Sequence, residues 1–390
     1  MATTDREAEA HRFLIVVWEL TLRCNLACGH CGSRAGLARP RELTGAEGVE
    51  VVRQLAKLGV REVALIGGEA YLHPEWETIA RAITDHGMYC SMVSGGRGLD
   101  ESMARRAKAA GVVSIAISID GLEATHDRQR GWAGSFQAAV AAVRHVVAAG
   151  IQASVNTQIN RLSLMELEPL LDLLLAERIW AWGLQLTVAM GRAADHPEWL
   201  LQPYELLGLF PRLARLKMRC QEANVVFATG NNIGYFGPFE QLLRNSDAAG
   251  LGHWGGCQAG VRTLGLEADG TLKGCPSLPT APYAGGNVRE HSVRELLQTA
   301  PLRLTRDRTL DDLWGYCREC YYADVCRAGC TWTSHVLFGR PGNNPYCHYR
   351  ALQFQKKGLR ERLVPVAAAP GKPFDHGRFE LVVEPQPGEE

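Results

Sequence analysis

The chain has 390 residues, enough to bury a full core and to form two or three domains. With 46% hydrophobic and 22% charged residues it is neither a disordered nor a fibrous sequence. Its 42 Lys and Arg balance 42 Asp and Glu, so charge gives no footprint for nucleic acid or an anionic membrane.

Residues 1–12 are polar with mixed charge, unlike a signal peptide, and are expected to be an N-terminal tail. The sequence has no uncharged apolar run of about 18 residues and reads as cytoplasmic. From residue 13 short β-like runs alternate with helical ones. The first strand is expected at Phe13–Leu20, followed by a helix opened by a Thr44/Glu47 capping box and closed at Gly59. Further strands are expected at Glu62–Ile66, Tyr89–Val93, Val112–Ile119, Ala153–Gln158 and Leu184–Val188. Helices fall around Trp76–Ile83, Phe136–Val147, 165–178 and 203–223. Strands separated by helices imply a parallel sheet with right-handed crossovers. Six units are too few for a closed eight-stranded barrel, so an α/β fold with a partial, TIM-like (β/α)6 barrel is expected over 13–229. A Gly-, Asn- and aromatic-rich bridge (230–256) leads to a cysteine-rich domain (257–363), and 364–390 reads as a loosely attached tail.

Ten of the twelve cysteines fall into two groups, 24–31 and 257–347, with Cys90 and Cys220 apart. Such clusters in a chain read as cytoplasmic point to metal ligands rather than disulfides. Cys24, Cys28 and Cys31 follow the first strand directly, where (β/α) enzymes keep their chemistry. Three thiolates can wrap one corner of a four-iron cluster and leave one iron open. A structural zinc site would want a fourth ligand, and only His30 is near in sequence.

This Cys-x3-Cys-x2-Cys spacing resembles the signature of the radical S-adenosylmethionine (SAM) superfamily, with His30 where an aromatic residue commonly precedes the third cysteine. The resemblance implies a 4Fe–4S cluster that binds SAM at its open iron and cleaves it reductively to a 5′-deoxyadenosyl radical. It further implies that Gly67-Gly68-Glu69 meets the methionine ammonium and that Ser118 or Arg130 meets the carboxylate or ribose. Asn156 and Leu186 match positions that contact ribose and adenine. Ser94-Gly95-Gly96 departs mildly from the Thr-Asn-Gly often seen after the third strand.

The second group, Cys257, Cys275, Cys317, Cys320, Cys326, Cys330 and Cys347, resembles the SPASM domain of peptide-modifying radical SAM enzymes. The resemblance implies two auxiliary iron–sulfur clusters. Cys317, Cys320, Cys326 and Cys347 would hold one; Cys257, Cys275 and Cys330 would hold the other. The fourth position of the latter is open, or filled by His253, water, Cys220 or a substrate group. A zinc ribbon at Cys317, Cys320, Cys326 and Cys330 would leave three cysteines unexplained.

The same resemblance implies hydrogen abstraction from a carbon of a ribosomal precursor peptide, with an oxidative cross-link or related modification as outcome. The expected partners are that peptide and a flavodoxin or ferredoxin as electron donor; since the barrel starts at residue 13, the leader is expected to be held by a separate leader-binding protein or by the groove between the barrel and the SPASM domain. Asn231–Glu240 is a candidate cleft lining. Pro276-Ser277 after Cys275 replaces the aspartate typical of sulfatase maturases, which counts against that reaction. Two alternatives remain: a peptide epimerase using Cys220 as hydrogen donor, although a lone helical cysteine is more often core, and a small-molecule substrate.

Overall fold

A computed structural model of the chain describes residues 15–244 and 252–387. The expected tail 1–12, Phe13 and Leu14, part of the bridge and the last three residues lie outside the described residues. The chain runs β1 (Ile15–Thr21), α1 (Gly45–Lys57), β2 (Glu62–Gly67), α2 (Trp76–Asp85), β3 (Tyr89–Ser94), α3 (Glu101–Ala109) and β4 (Val112–Ser118). There follow α4 (Glu123–Arg130), α5 (Ser135–Ala148), β5 (Gln152–Ile159), α6 (Leu167–Ala176), β6 (Ala181–Leu186), α7 (Leu206–Glu222) and β7 (Val226–Thr229). β1 to β7 pair in sequence order, all parallel. This is the expected partial barrel.

Local chemistry explains the elements. Thr44 caps α1 and Glu47 returns the bond, as the capping box requires. Val16, Trp18 and Leu20 of β1 are buried against Val52 and Leu55 of α1 in one hydrophobic core. Helices α3 and α4 had no expected counterpart, and two barrel strands differ from expectation. β6 spans Ala181–Leu186 rather than 184–188, because Gly183 is tolerated inside it: a Cβ there would stand 2.5 Å from Asn156 Oδ1. β7 was hidden in its four residues before Gly230.

The cysteine-rich segment joins the same sheet. β8 (Thr263–Leu266) lies parallel to β1 on the edge opposite β2, and β9 (Thr271–Lys273) and β10 (Ala284–Asn287) continue antiparallel. The result is one ten-stranded sheet, β10-β9-β8-β1-β2-β3-β4-β5-β6-β7. Beyond short helical turns come α8 (Thr331–Phe338) and α9 (His348–Lys356). β11 (Leu359–Ala367) and β12 (Arg378–Pro385) then pair antiparallel. The loose tail expected over 364–390 is therefore corrected over 364–385. Its low-hydrophobicity composition concealed a hairpin in which Leu363 and Phe379 are buried and Glu384 bridges Arg360 and Arg362. No helix among the described residues is long and apolar enough to cross a membrane.

Charges buried behind β1 fasten the two halves together. Arg39 Nε lies 2.9 Å from Glu19 Oε1 and its Nη2 lies 3.1 Å from Glu267 Oε2. Lys273 Nζ is 2.6 Å from Glu267 Oε1 and donates to the carbonyls of Pro276 and Leu278 at 3.2 and 2.6 Å. The Phe374 ring from the hairpin loop covers the ammonium at 4.1 Å. Removing one partner from such a buried network costs about 3–5 kcal/mol, because the remaining charge stays desolvated. Lys273→Met is accordingly expected to lower the melting temperature of the iron-loaded protein by several degrees in scanning calorimetry. An unchanged transition would contradict this account of the junction.

Candidate functional site

The first cysteine group emerges from the C-terminal end of β1. Cys24, Cys28 and Cys31 line a cavity of about 240 Å3 at the ends of β1 to β6. Their loop is latched from several sides. Asn25 Nδ2 donates to the Arg97 carbonyl at 2.6 Å, after β3. Arg192 Nε donates to the Cys28 carbonyl at 2.6 Å, after β6. Gly29 N–H donates to the Gln129 carbonyl at 2.8 Å, at the end of α4. Burial pushes the Cys24 thiol up to about 12 and also raises Cys28. Catalytic thiols have depressed values; these would give up their protons to a bound metal instead.

Gly67 and Gly68 line the cavity beside them. Their lack of side chains serves the protein first: a Cβ would stand 2.3 Å from the Thr21 carbonyl oxygen at Gly67 and 2.3 Å from that of Arg23 at Gly68. Glu69 is 1% exposed. Its Oε2 accepts from Ser94 Oγ and Gly95 N–H, both at 3.1 Å, and from Tyr71 OH at 3.3 Å. Its Oε1 is buried with no partner. Burial pushes this carboxyl up to about 7, against the pull of those donors. An unpaired buried acceptor in a cavity wall is suited to a ligand ammonium.

Ser118, Asp120, Arg130 and Asn156 also line the cavity. Asp120 Oδ2 lies 2.6 Å from Arg130 Nη2 and 3.2 Å from His30 Nε2. Burial alone would raise the Asp120 carboxyl, but Arg130 and His30 hold it well below the usual carboxylate range. His30 lines the cavity and its Nδ1 is buried without a partner. Leu186 needs correcting. It is 1% exposed, packs in the core and gives its backbone to the Asn232 side chain. The neighbouring Gln185 faces the cavity in its place, since adjacent strand residues point to opposite faces.

The second group divides into two sets. Cys257, Cys275 and Cys330 line a cavity of about 270 Å3, and Gln185 is a wall of both this cavity and the first. Cys317, Cys320, Cys326 and Cys347 line another, with Tyr235 and Phe236. Burial raises Cys275 to about 11 and Cys330 and Cys347 to about 12. Of the candidate lining Asn231–Glu240, Asn231 and Asn232 reach the 270 Å3 cavity, Tyr235 and Phe236 line the four-cysteine one, and Phe239 stacks on His348. Among the described residues no three His, Cys, Asp or Glu converge as ligands of a single metal ion; the thiols ring cavities instead.

Besides Leu186, two sequence candidates are not brought to the site. Cys220 is fully buried in the hydrophobic core on α7 and lines none of these cavities. His253 also lines none of them and stands against Phe236. Gln185, Arg192 and the Asp120–His30 pair were missed or left without a role. Of these, His30 carried a signal, as the residue directly before Cys31.

Comparison with known proteins agrees with this arrangement. Residues 18–174 match the radical SAM superfamily, and residues 257–321 match an iron–sulfur cluster-binding domain, SPASM. The chain is 29% identical over 356 residues to an AdoMet-dependent heme synthase of Methanosarcina barkeri, covering 86% of this chain and 96% of that protein. It is 30% identical over 349 residues to the mycofactocin maturase MftC of Mycobacterium ulcerans, covering 86% and 87%. Its fold is similar to that of Streptococcus suis SuiB in the structure bound to precursor peptide SuiA. That match has a TM-score of 0.64 and 16% identity over 88% of this chain and 77% of the other. The chain thus belongs to the radical SAM superfamily, as an enzyme with a SPASM domain that uses S-adenosylmethionine and iron–sulfur clusters.

Proposed function

We propose that this enzyme oxidises a carbon of a ribosomal precursor peptide, forming a cross-link or related C–H modification. The observation that carries this reading is the wall of the 270 Å3 cavity beside Cys257, Cys275 and Cys330, which shares Gln185 with the SAM cavity. Its walls include Gln185, Asn231, Gln258 and Thr331, and no charged side chain is among the described residues lining it. Neutral amides and hydroxyls match the donors and acceptors of a peptide backbone. The SuiA peptide bound to SuiB is a precedent for a peptide on this fold.

When bound, SAM and its cluster supply a radical able to take a hydrogen atom from an unactivated carbon, and an auxiliary cluster can accept the electron left behind. In this reading Cys24, Cys28 and Cys31 hold the first cluster and Glu69 Oε1 takes the methionine ammonium. Cys257, Cys275 and Cys330 hold an auxiliary cluster whose fourth position a substrate group completes, and the other four cysteines hold the second. A flavodoxin or ferredoxin supplies electrons, and a separate protein can present the leader. Loss of a hydrogen atom, an electron and a proton makes the product two hydrogens lighter.

A second reading, a small-molecule substrate, is favoured by the relatives named AdoMet-dependent heme synthase. A tetrapyrrole carries several carboxylates, and the neutral walls of the 270 Å3 cavity offer them no cation.

Glu69→Gln should remove the charge that faces the ammonium. A charge-assisted hydrogen bond contributes about 1.5–3 kcal/mol, so SAM affinity measured anaerobically by calorimetry should fall roughly 10- to 100-fold. Equal affinity would contradict the ammonium assignment. The peptide reading is tested by co-expressing the enzyme with each small reading frame flanking its gene and weighing the peptides. A loss of two hydrogens is expected, and it should vanish when Cys24, Cys28 and Cys31 are all replaced by Ala. Peptides unchanged in mass, with a tetrapyrrole instead consumed in a SAM-dependent reaction, would favour the second reading.

A further inference from the structure

Arg130 has a second partner besides the cavity. It is the last residue of α4, which ends at Gly131 with φ of 66°. A Cβ on Gly131 would stand 2.8 Å from the Ala27 carbonyl oxygen, and Gly29 N–H bonds to Gln129. The end of α4 therefore presses against the backbone on both sides of Cys28. From there Arg130, 8% exposed, places Nη1 at 3.7 Å from Cys28 Sγ as donor.

Its direction is fixed by Asp120. That carboxylate takes Arg130 Nη2 at 2.6 Å through Oδ2, while Oδ1 accepts from Gln158 N–H on β5 at 2.9 Å. Asp120 is 0% exposed, so the pair is anchored in the protein rather than in solvent. Arg130 keeps its charge at any pH at which the protein is folded.

We propose that Arg130, aimed by Asp120, is a positioning residue that donates a charge-assisted hydrogen bond to the Cys28 thiolate and raises the reduction potential of the cluster held there. Reduction adds negative charge to the cluster and its thiolates. A buried cation and an N–H at one sulfur stabilise the reduced form more than the oxidised one. The electron comes one at a time from an external protein carrier, and Arg130 makes that transfer less uphill. The inference concerns the cofactor site and holds for either substrate class.

Redox titration of the anaerobically reconstituted full chain, followed by electron paramagnetic resonance without SAM, tests it. Leaving SAM out removes any contribution from a contact between Arg130 and the cofactor. The relevant signal is the one missing when Cys24, Cys28 and Cys31 are all Ala; if that variant keeps every signal, the ligand assignment itself is wrong. Arg130→Gln should lower the midpoint by a tenfold change in the reduction equilibrium, ~59 mV for one electron. Arg130→Lys, which keeps the cation, should fall between. Since Arg130→Gln leaves Asp120 buried without its partner, the Asp120→Asn/Arg130→Gln pair removes both charges and should shift the same way. The auxiliary signals should hold their midpoints. A midpoint equal to wild type in the double variant overturns the proposal, as does a Lys variant no better than Gln or a parallel shift of all three signals.

Discussion

Strand β1 is hydrogen-bonded on both edges, to β2 and to β8, and this double pairing fixes where the cysteine groups stand. Its C-terminal end launches the loop of Cys24, Cys28 and Cys31. Its partner β8 leads through β9 to Cys275. A partial barrel leaves an unpaired edge that must be covered, and here the cysteine-rich segment covers it. The cover is also locked electrostatically, since Glu19 of β1 and Arg39 after the first cysteine loop meet Glu267 and Lys273 of the β8–β9 hairpin. A shift of β8 along β1 would break buried ion pairs as well as backbone bonds, so the two sites keep a defined relation.

That relation gives the chemistry its setting. The first cavity ends at the three cysteines and at Glu69, and the second ends at Cys257, Cys275 and Cys330. Gln185 lines both. A substrate lying between them would have its reacting carbon on the SAM side and an electron acceptor on the other.

Much of this was legible in the sequence because the signals were local. Three cysteines within eight residues and a Gly-Gly-Glu after one strand need no tertiary context. The phase of β6 did need it. Leu186 looked like the inward residue, yet Trp182 and Leu184 pack outward into the core with it and turn Gln185 inward, and a slip of one residue exchanges the faces of a strand. Cys220 was ambiguous for a similar reason, since the helical pattern cannot say which of two neighbouring spaces a thiol enters. The terminal hairpin was missed because its stability comes from partners far away, with Asp375 bonded to Arg34 at 2.8 Å and Phe374 lying on Lys273. The contact of Arg130 with Cys28 joins positions a hundred residues apart and leaves no mark in either segment.

The central claim is that three separate cysteine sets hold three iron–sulfur clusters, two of them on either side of one reaction space. Anomalous diffraction at the iron edge from crystals of the anaerobically reconstituted protein tests it directly. Iron is predicted among Cys24, Cys28 and Cys31, among Cys257, Cys275 and Cys330, and among Cys317, Cys320, Cys326 and Cys347. Iron absent from the first set, or a single metal ion shared between the second and third, would contradict the account.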